Sequence, residues 1–498
     1  MAPVSHYRGP VTVPLRYGSP QARTVLVATI LASGVGFLDG TLVTVALPRI
    51  GEDLGGGLAT LQWVFDSYLL TLGALVLIGG ALGDLLGRRR VFQWGIAAFA
   101  ATSVLCGLAP NAPALIAART LQGAAAALMV PASLAILSSV FAGADRGRAI
   151  GLWSGWSGVT TAIGPFVGGA MVDAAPWGWR AVFLINVPLC VVAFLLARRS
   201  VPDLPPGRTD APLREQLDVL GGVLALVGLA LVIGPLIEFA RIGRAVAVAG
   251  VLAGVAVLVG FVLLERHRER TRQPPPMLPP SLFGIRTFAV ANLQTFVVYG
   301  ALGGTMFVLT LALQIGLGWS ALAAGAAVVP ITLILLLGSS RAGGLVTVVG
   351  ARPLLTAGPL LMAVGAWLLS RLGPGAGYLT DVLPGVLAFA VGLVLVVAPI
   401  TTTALGDIPQ ASAGVGSGVN NGVARIASLV AVAAIPLAAG LAGAQAESGD
   451  QIFPGAERAL IATAALCVGG AAVAAFGYPA DAGKVAGASG PEAAEASH

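Results

Sequence analysis

The stretch GALGDLLGRRR, residues 80–90, closes one long apolar run (60–82) and opens the next (91–110). A helix rises about 1.5 Å per residue, so roughly 20 apolar residues cross the hydrocarbon core of a bilayer. Both runs are that long. Between them lies a short loop in which Gly83 and Gly87 permit tight turns and Arg88, Arg89 and Arg90 crowd one end. A short arginine-rich loop between two spans marks one side of a membrane. The fold this implies is all-α and polytopic.

Composition extends that reading to the whole chain. Of 498 residues, 57% are apolar and 10% charged, whereas a soluble domain carries about 25% charged residues. So few charges would not cover a soluble surface, and disorder needs the opposite balance. Three cysteines in so long a chain exclude a disulfide scaffold. Cys106, Cys190 and Cys467 fall inside apolar runs and read as packing residues. The net charge of +6 is almost wholly arginine, Lys484 being the only lysine. These arginines lie between apolar runs, not along one stripe, which argues for membrane orientation and against nucleic acid as a partner. Residues 1–23 are polar and show no cleavable signal peptide.

Fourteen apolar runs follow one another. An N-terminal tail (1–23) leads into a six-helix bundle (24–197) with runs at 24–47, 60–82, 91–110, 112–139, 148–172 and 180–197. A linker (198–287) contains two extra runs, 218–238 and 246–264, and the basic, proline-rich ERHRERTRQPPPMLPP. A second bundle (288–478) has runs at 288–315, 320–338, 353–371, 379–400, 413–440 and 457–478. The tail 479–498 is expected to be disordered. With the N-terminus inside, twenty arginines and lysines fall on the cytoplasmic side and six outside, a strong positive-inside bias. Only Arg119 and Arg425 remain within spans. An even helix count places both termini in the cytoplasm.

The two bundles look related. GGLVTVVGARP (343–353) follows the tenth run as the opening stretch follows the second. Gly80, Leu82, Gly87 and Arg89 match Gly343, Leu345, Gly350 and Arg352, while Asp84 aligns with Thr347. Two six-helix halves with a helix pair between them is a transporter architecture.

The 80–90 loop resembles the signature of the major facilitator superfamily, through Gly80, Leu82, Asp84, Gly87, Arg88 and Arg89; Leu85 replaces the usual basic residue. LDGTLVTVALP (38–48) is similar to the first-helix motif of the fourteen-helix drug:proton antiporters. RTLQGAAAA (119–127) is similar to their fourth-helix motif, GPFVGG (164–169) to the antiporter motif of the fifth, and WGWRAVFLINVP (177–188) to the entry of the sixth. The resemblance implies a major facilitator fold with 14 transmembrane helices (6+2+6). It implies a proton-coupled exporter of small hydrophobic compounds, with cationic cargo favoured. It also implies a bacterial inner membrane, a role in multidrug efflux and antibiotic resistance, and no enzymatic activity. A dedicated exporter of one natural product fits the same mechanism. A non-transporting receptor or scaffold is the reading from another class, and nutrient symport also stays open. A monomer in the lipid bilayer is expected.

Charge inside a span costs several kcal/mol and needs a reason. Asp39, Asp66 and Arg119 lie at a similar depth, each about 10 Å from one surface by helical rise. A carboxyl group in a dry cavity holds its proton more tightly, and a nearby arginine loosens it. The three are therefore candidates for proton coupling or substrate binding; a static ion pair fastening the helices is the plainer alternative. In the loop, Gly80, Asp84, Gly87, Arg88 and Arg89 serve orientation, and the resemblance adds a gate. Gly164, Pro165, Gly168 and Gly169 allow close helix approach, either as ordinary packing or as the hinge of alternating access. Arg425 has no acidic residue deep in the last six runs to pair with. It bonds backbone carbonyls, snorkels to the cytoplasmic face, or meets an anionic group on the substrate. Glu238 and Arg241 suit a local pair. Gln122, Tyr299 and Asn421 are cavity candidates, with Trp63, Tyr68, Trp153, Trp156, Phe296 and Gln314 as weaker ones. Gly483-Lys484-Val485 is not a P-loop, and His6, His267 and His498 form no metal cluster. No cofactor or metal is expected, and an ion gradient is the expected energy source.

Overall fold

A computed structural model describes residues 14–203, 216–271, 274–409, 412–441 and 449–479. Arg8, Arg208, Arg214, Arg272, Lys484 and the tail beyond 479 lie outside the described residues.

The first bundle holds α1 (Pro20–Leu54), α2 (Gly57–Leu86), α3 (Arg88–Gly107), α4 (Ala112–Val140), α5 (Gly143–Ala174), and the end-to-end pair α6 (Gly178–Leu184) and α7 (Asn186–Ser200). Next come α8 (Val219–Ile237), the single turn α9 (Phe239–Ile242) and α10 (Arg244–Thr271). The second bundle holds α11 (Arg286–Leu311), α12 (Ala321–Val349), α13 (Ala351–Leu369), α14 (Leu383–Gly406), α15 (Ala413–Ala438) and α16 (Gly449–Gly477). Local chemistry sets several ends. Ser19, Asn111 and Ser320 each accept a hydrogen bond from a first-turn amide, satisfying a donor that has no partner within the helix.

Twelve helical segments among the described residues are long and apolar enough to cross a membrane. The expectation was fourteen. Of the helices outside this set, the two long ones, α3 and α5, have 20 and 32 residues, but their composition is less apolar. Arg88–Arg90 open α3, while Asp145, Arg146 and Arg148 open α5, which continues through Ser, Thr and Gly.

The two bundles repeat one packing pattern. In the first, α4 packs on α2 and α3, α1 on α5 and α7, and α3 on α7. In the second, α14 packs on α12 and α13, α11 on α15 and α16, and α13 on α16. The joints repeat as well. Gly87 (φ 99°) separates α2 from α3, and Gly350 (φ 86°) separates α12 from α13. Only glycine adopts this backbone without strain, which accounts for the matched position in the two loops. Across the bundles, α2 meets α15 and α5 meets α12, a pairing related by the same symmetry.

The extra helices lie to one side. Gly222 of α8 fits Ile78 of α2, and Gly228 and Gly254 bring α8 and α10 together. The outer face of α10, with Leu252, Val259 and Leu263 exposed, suits lipid. At the end nearest the 80–90 loop, Arg268 of α10 pairs with Asp218 at the start of α8.

Along the α5–α12 seam the bundles are closed at one face only, while α2 stays on α15 toward the loop through Leu77 and Gly418. Away from the 80–90 loop, Gly169 meets the backbone of Ala321 and Leu322, Gly325 meets the Pro165 carbonyl, and Asp173 accepts hydrogen bonds from Ala321 N and Leu322 N at 3.1 and 2.8 Å. On the same stripe of α5 toward the loop, side chains added at Gly158, Gly151 and Gly147 would meet nothing within 4 Å. A gap along α5 therefore widens toward the loop face.

Candidate functional site

Asp39 is fully buried at mid-length of α1. Its carboxylate accepts hydrogen bonds from Arg119 Nη1 (2.5 Å), Asn186 Nδ2 (2.8 Å) and Gln122 Nε2 (3.1 Å). Arg119, also fully buried, donates further to Gln122 Oε1 (2.7 Å) and to the Val64 carbonyl (3.1 Å), and lies 4.3 Å from the Tyr68 ring centre. Gln122 also donates to Ser103 Oγ at 2.9 Å, which completes a node drawn from α1, α2, α3, α4 and α7. Small residues make it possible. Gly123 on α4 and Gly79 on α2 let the two helices approach backbone to backbone.

Asp66 shares the depth but not the node. Both its carboxylate oxygens are buried with no hydrogen-bond partner. One turn earlier, Gln62 donates to the Val432 carbonyl of α15 at 2.7 Å, and Phe65 meets Phe307 of α11 with ring centres 6.3 Å apart. Residues four apart share a helix face, so Asp66 points toward the bundle interface while Asp39 points into the first bundle.

Arg425 is half-buried on α15 and makes no hydrogen bond or ion pair among the described residues. Its guanidinium neither reaches carbonyls nor snorkels; it crosses to the first bundle and lies 5.2 Å from the Phe37 ring centre. Phe37 in turn meets Trp153 of α5 edge-on at 6.3 Å. Asn421, one turn nearer the loop face, is exposed, and the Tyr299 carbonyl accepts a hydrogen bond from Ser428 Oγ of α15 at 3.1 Å. Tyr68, Trp63 and Gln314 are engaged elsewhere: Tyr68 OH donates to the Gly36 carbonyl, Trp63 Nε1 to Glu238 of the extra pair, and Gln314 to the Val45 carbonyl.

The loop residues sit at the surface. Arg88 pairs with Asp84 at 2.9 Å across the Gly87 joint and donates to the Ala135 carbonyl, while Arg89 donates to the Arg198 carbonyl. Gly80 approaches Pro131. The 164–169 segment is divided between two neighbours. Gly164 and Gly168 face Thr41 and Leu42 of α1, and Pro165 and Gly169 face α12 of the other bundle.

The sequence profile of the Major Facilitator Superfamily matches residues 29–432. The chain belongs to that superfamily. It is 37% identical to the probable actinorhodin transporter of Streptomyces coelicolor over 85% of this chain and 73% of that protein. It is 36% identical to the cephamycin export protein CmcT of Amycolatopsis lactamdurans over 80% and 81% of the two chains. It is 33% identical to the multidrug transporter protein MdtP of Bacillus subtilis over 78% and 70%. A crystal structure of a bacterial homolog of the human lysosomal transporter Spinster shares the fold, with a TM-score of 0.66 over 92% of this chain and 97% of that one at 18% identity. Membership of the superfamily, with these transporter relatives, makes the protein a multi-pass membrane transporter and not an enzyme.

Asn186 has a place in the Asp39 node that the sequence reading left unassigned. Its signal was present: an amide inside the apolar run 180–197, at the joint where α6 passes into α7. Asp173, which holds the start of α12, was likewise missed, because its partners are backbone amides of the other bundle.

Proposed function

We propose that the protein is a proton-coupled antiporter that exports small hydrophobic compounds by alternating access. In this reading α3 and α5 also cross the bilayer, giving fourteen spans as two six-helix bundles and the α8–α10 pair. The arginine-rich loop face is cytoplasmic, both termini lie there, and the monomer works in a bacterial plasma membrane. The gap that widens toward the loop face is the substrate entrance. Rocking about the α5–α12 contact, through Gly164, Pro165, Gly168 and Gly169, closes it and opens the far side. The Asp84–Arg88 pair and its loop guard the cytoplasmic closure.

The observation that carries the proton part is the Asp66 carboxyl group, sealed at the bundle interface without a partner. An ionised carboxylate there would cost several kcal/mol; a protonated one costs far less. Asp66 therefore carries the proton in this conformation and releases it when substrate and water enter between the bundles. Asp39, neutralised by Arg119, holds α1, α2, α4 and α7 in register while α2 responds to that change.

Proteoliposomes with an acidic lumen test this. Asp66→Asn should lose substrate uptake driven by the pH gradient yet keep substrate-for-substrate exchange, which needs no net proton movement. Full gradient-driven uptake in both Asp66→Asn and Asp39→Asn would refute the coupling. Export of a single natural product is the second reading, supported by the actinorhodin and cephamycin relatives; the MdtP relative supports breadth. Resistance conferred on a pump-deficient host against many unrelated compounds selects the broad reading.

A further inference from the structure

Four charged side chains lie deep in the described spans, and their settings differ. Asp39 and Arg119 neutralise each other inside the first bundle. Asp66 is sealed at the interface. Arg425 alone is partly open, and no carboxylate answers it. By helical rise, Asp66 is about 10 Å along α2 from Gly73, where the Arg425 stem packs.

The surroundings of Arg425 describe a ligand. A guanidinium with no hydrogen bond or ion pair, resting only on the Phe37 ring face, is a planar fork suited to a carboxylate or another oxyanion. Asn421, exposed on the same face one turn away, spends one amide hydrogen on the Ser417 carbonyl at 3.1 Å and has a second to offer. Opposite them, across the bundle boundary, stand the rings of Phe37 and Trp153. A flat aromatic body fits such a wall. A cation entering this space would meet a positive charge that no carboxylate pairs with among the described residues.

We infer that the cargo is a planar aromatic anion, its carboxylate or phenolate seated on Arg425 beside Asn421 and its rings against Phe37 and Trp153. This rests on the exporter reading and gives the cargo a charge opposite to the one favoured from sequence. It also has an energetic consequence. An anion and a proton moving in opposite directions carry charge the same way, so exchange responds to membrane potential at any proton number.

Two dyes with the same xanthene ring system, fluorescein (anionic) and rhodamine 123 (cationic), are the probes. Purified full-length protein is reconstituted in vesicles with an acidic lumen, and retained dye is quantified after gel filtration. Passive partition drives a weak acid out of an acidic lumen, so fluorescein accumulation there reports transport. Expected is fluorescein uptake above protein-free vesicles, raised further by an inside-positive potassium diffusion potential, with rhodamine 123 taken up more slowly. Arg425→Gln should cut fluorescein uptake about tenfold or more, and Arg425→Lys should retain part of it.

Rhodamine 123 moving as fast as fluorescein, or fluorescein uptake surviving in Arg425→Gln, would overturn the inference and leave the exporter intact. Loss of both dyes in Arg425→Gln would also overturn it, because the arginine would then serve the transport cycle and not the cargo. If Arg425→Gln does not fold, the contrast between the two dyes in the unaltered protein decides. Neither dye moving, with no collapse of the pH gradient on adding either, would remove the exporter reading as well.

Discussion

Replacing Asp39 by Asn takes away the charge on which Arg119, Gln122 and Asn186 converge at 2.5, 3.1 and 2.8 Å. Hydrogen bonds to a charged group contribute roughly 1.5–3 kcal/mol each, but the three share one acceptor and do not add. The larger effect is the cation left behind. Breaking a buried ion pair by removing one partner costs about 3–5 kcal/mol. Arg119 keeps Gln122 Oε1, the Val64 carbonyl and the Tyr68 face, so Asp39→Asn should fall near the lower end, about 3 kcal/mol. Arg119→Gln strands a carboxylate that keeps only two amide donors, and should cost more, about 4–5 kcal/mol. The double variant buries no net charge. Its loss should be smaller than the sum of the singles by about 2–3 kcal/mol.

Unfolding in mixed micelles by sodium dodecyl sulfate titration, read by tryptophan fluorescence, gives the four stabilities of the cycle. Additivity within about 0.5 kcal/mol, or an Asp39→Asn protein as stable as the parent, would refute the account of the node as one coupled unit. The cycle also separates two roles. A fastener restores stability in the double variant whether or not transport returns; a proton site would lose gradient-driven uptake even in variants of full stability.

Other predictions follow from the joints and interfaces. Gly87→Ala and Gly350→Ala each place a Cβ at positive φ and should cost a similar amount, about 1–2 kcal/mol in the same titration; a large difference would count against equivalence of the two joints. Gly169→Leu drives a side chain into the Ala321–Leu322 backbone and should destabilise by about 1–3 kcal/mol while holding α5 away from α12, so gradient-driven uptake should stop in protein that still purifies as a folded species. Asp84 and Arg88 are 60% and 31% exposed, so Asp84→Asn should change stability by less than about 0.5 kcal/mol; slower turnover at unchanged stability supports a gate. Arg268→Ala leaves Asp218 and Glu265 buried without their cation, and should cost about 3–5 kcal/mol. Faster protease cleavage between α7 and α8 would show that this ion pair anchors the extra helices.

Sequence carried the order of the helices because hydropathy is a one-dimensional property, and the fourteen apolar runs all fall on helical segments, the run 180–197 on the end-to-end pair α6 and α7. It carried the Gly87 and Gly350 joints because only glycine tolerates that backbone. It carried the depth of Asp39, Asp66 and Arg119, because rise per residue is constant, but not their direction. A helix turns about 100° per residue, so equal depth leaves each side chain free to point into its own bundle or across the interface. The contacts of α2 with α15 decide that for Asp66, and those contacts join residues about 370 apart. Trp63 shows the same limit. Its partner Glu238 belongs to the inserted helices, whose position beside α2 no local pattern announces.

The asymmetry of charge between the bundles follows from what each half must do at the interface. A deep charge that only fastens helices is cheapest when fully paired, as Arg119 and Asp39 are. A deep group that must gain and lose a proton gains from isolation, because a fixed partner would hold it in one charge state; Asp66 meets that requirement. A deep charge that binds cargo must stay without an ion pair until cargo arrives, which costs stability in the empty protein, and Arg425, partly open and resting only on the Phe37 ring face, is in that condition. The second bundle holds no deep acid among the described residues, and its loop carries Thr347 where the first carries Asp84. Acid chemistry is thus confined to the first bundle and the open cation to the second. In the proposed cycle the proton sits on the first bundle and the cargo's charged group on the second, and each changes the electrostatic cost of the other's presence without touching it.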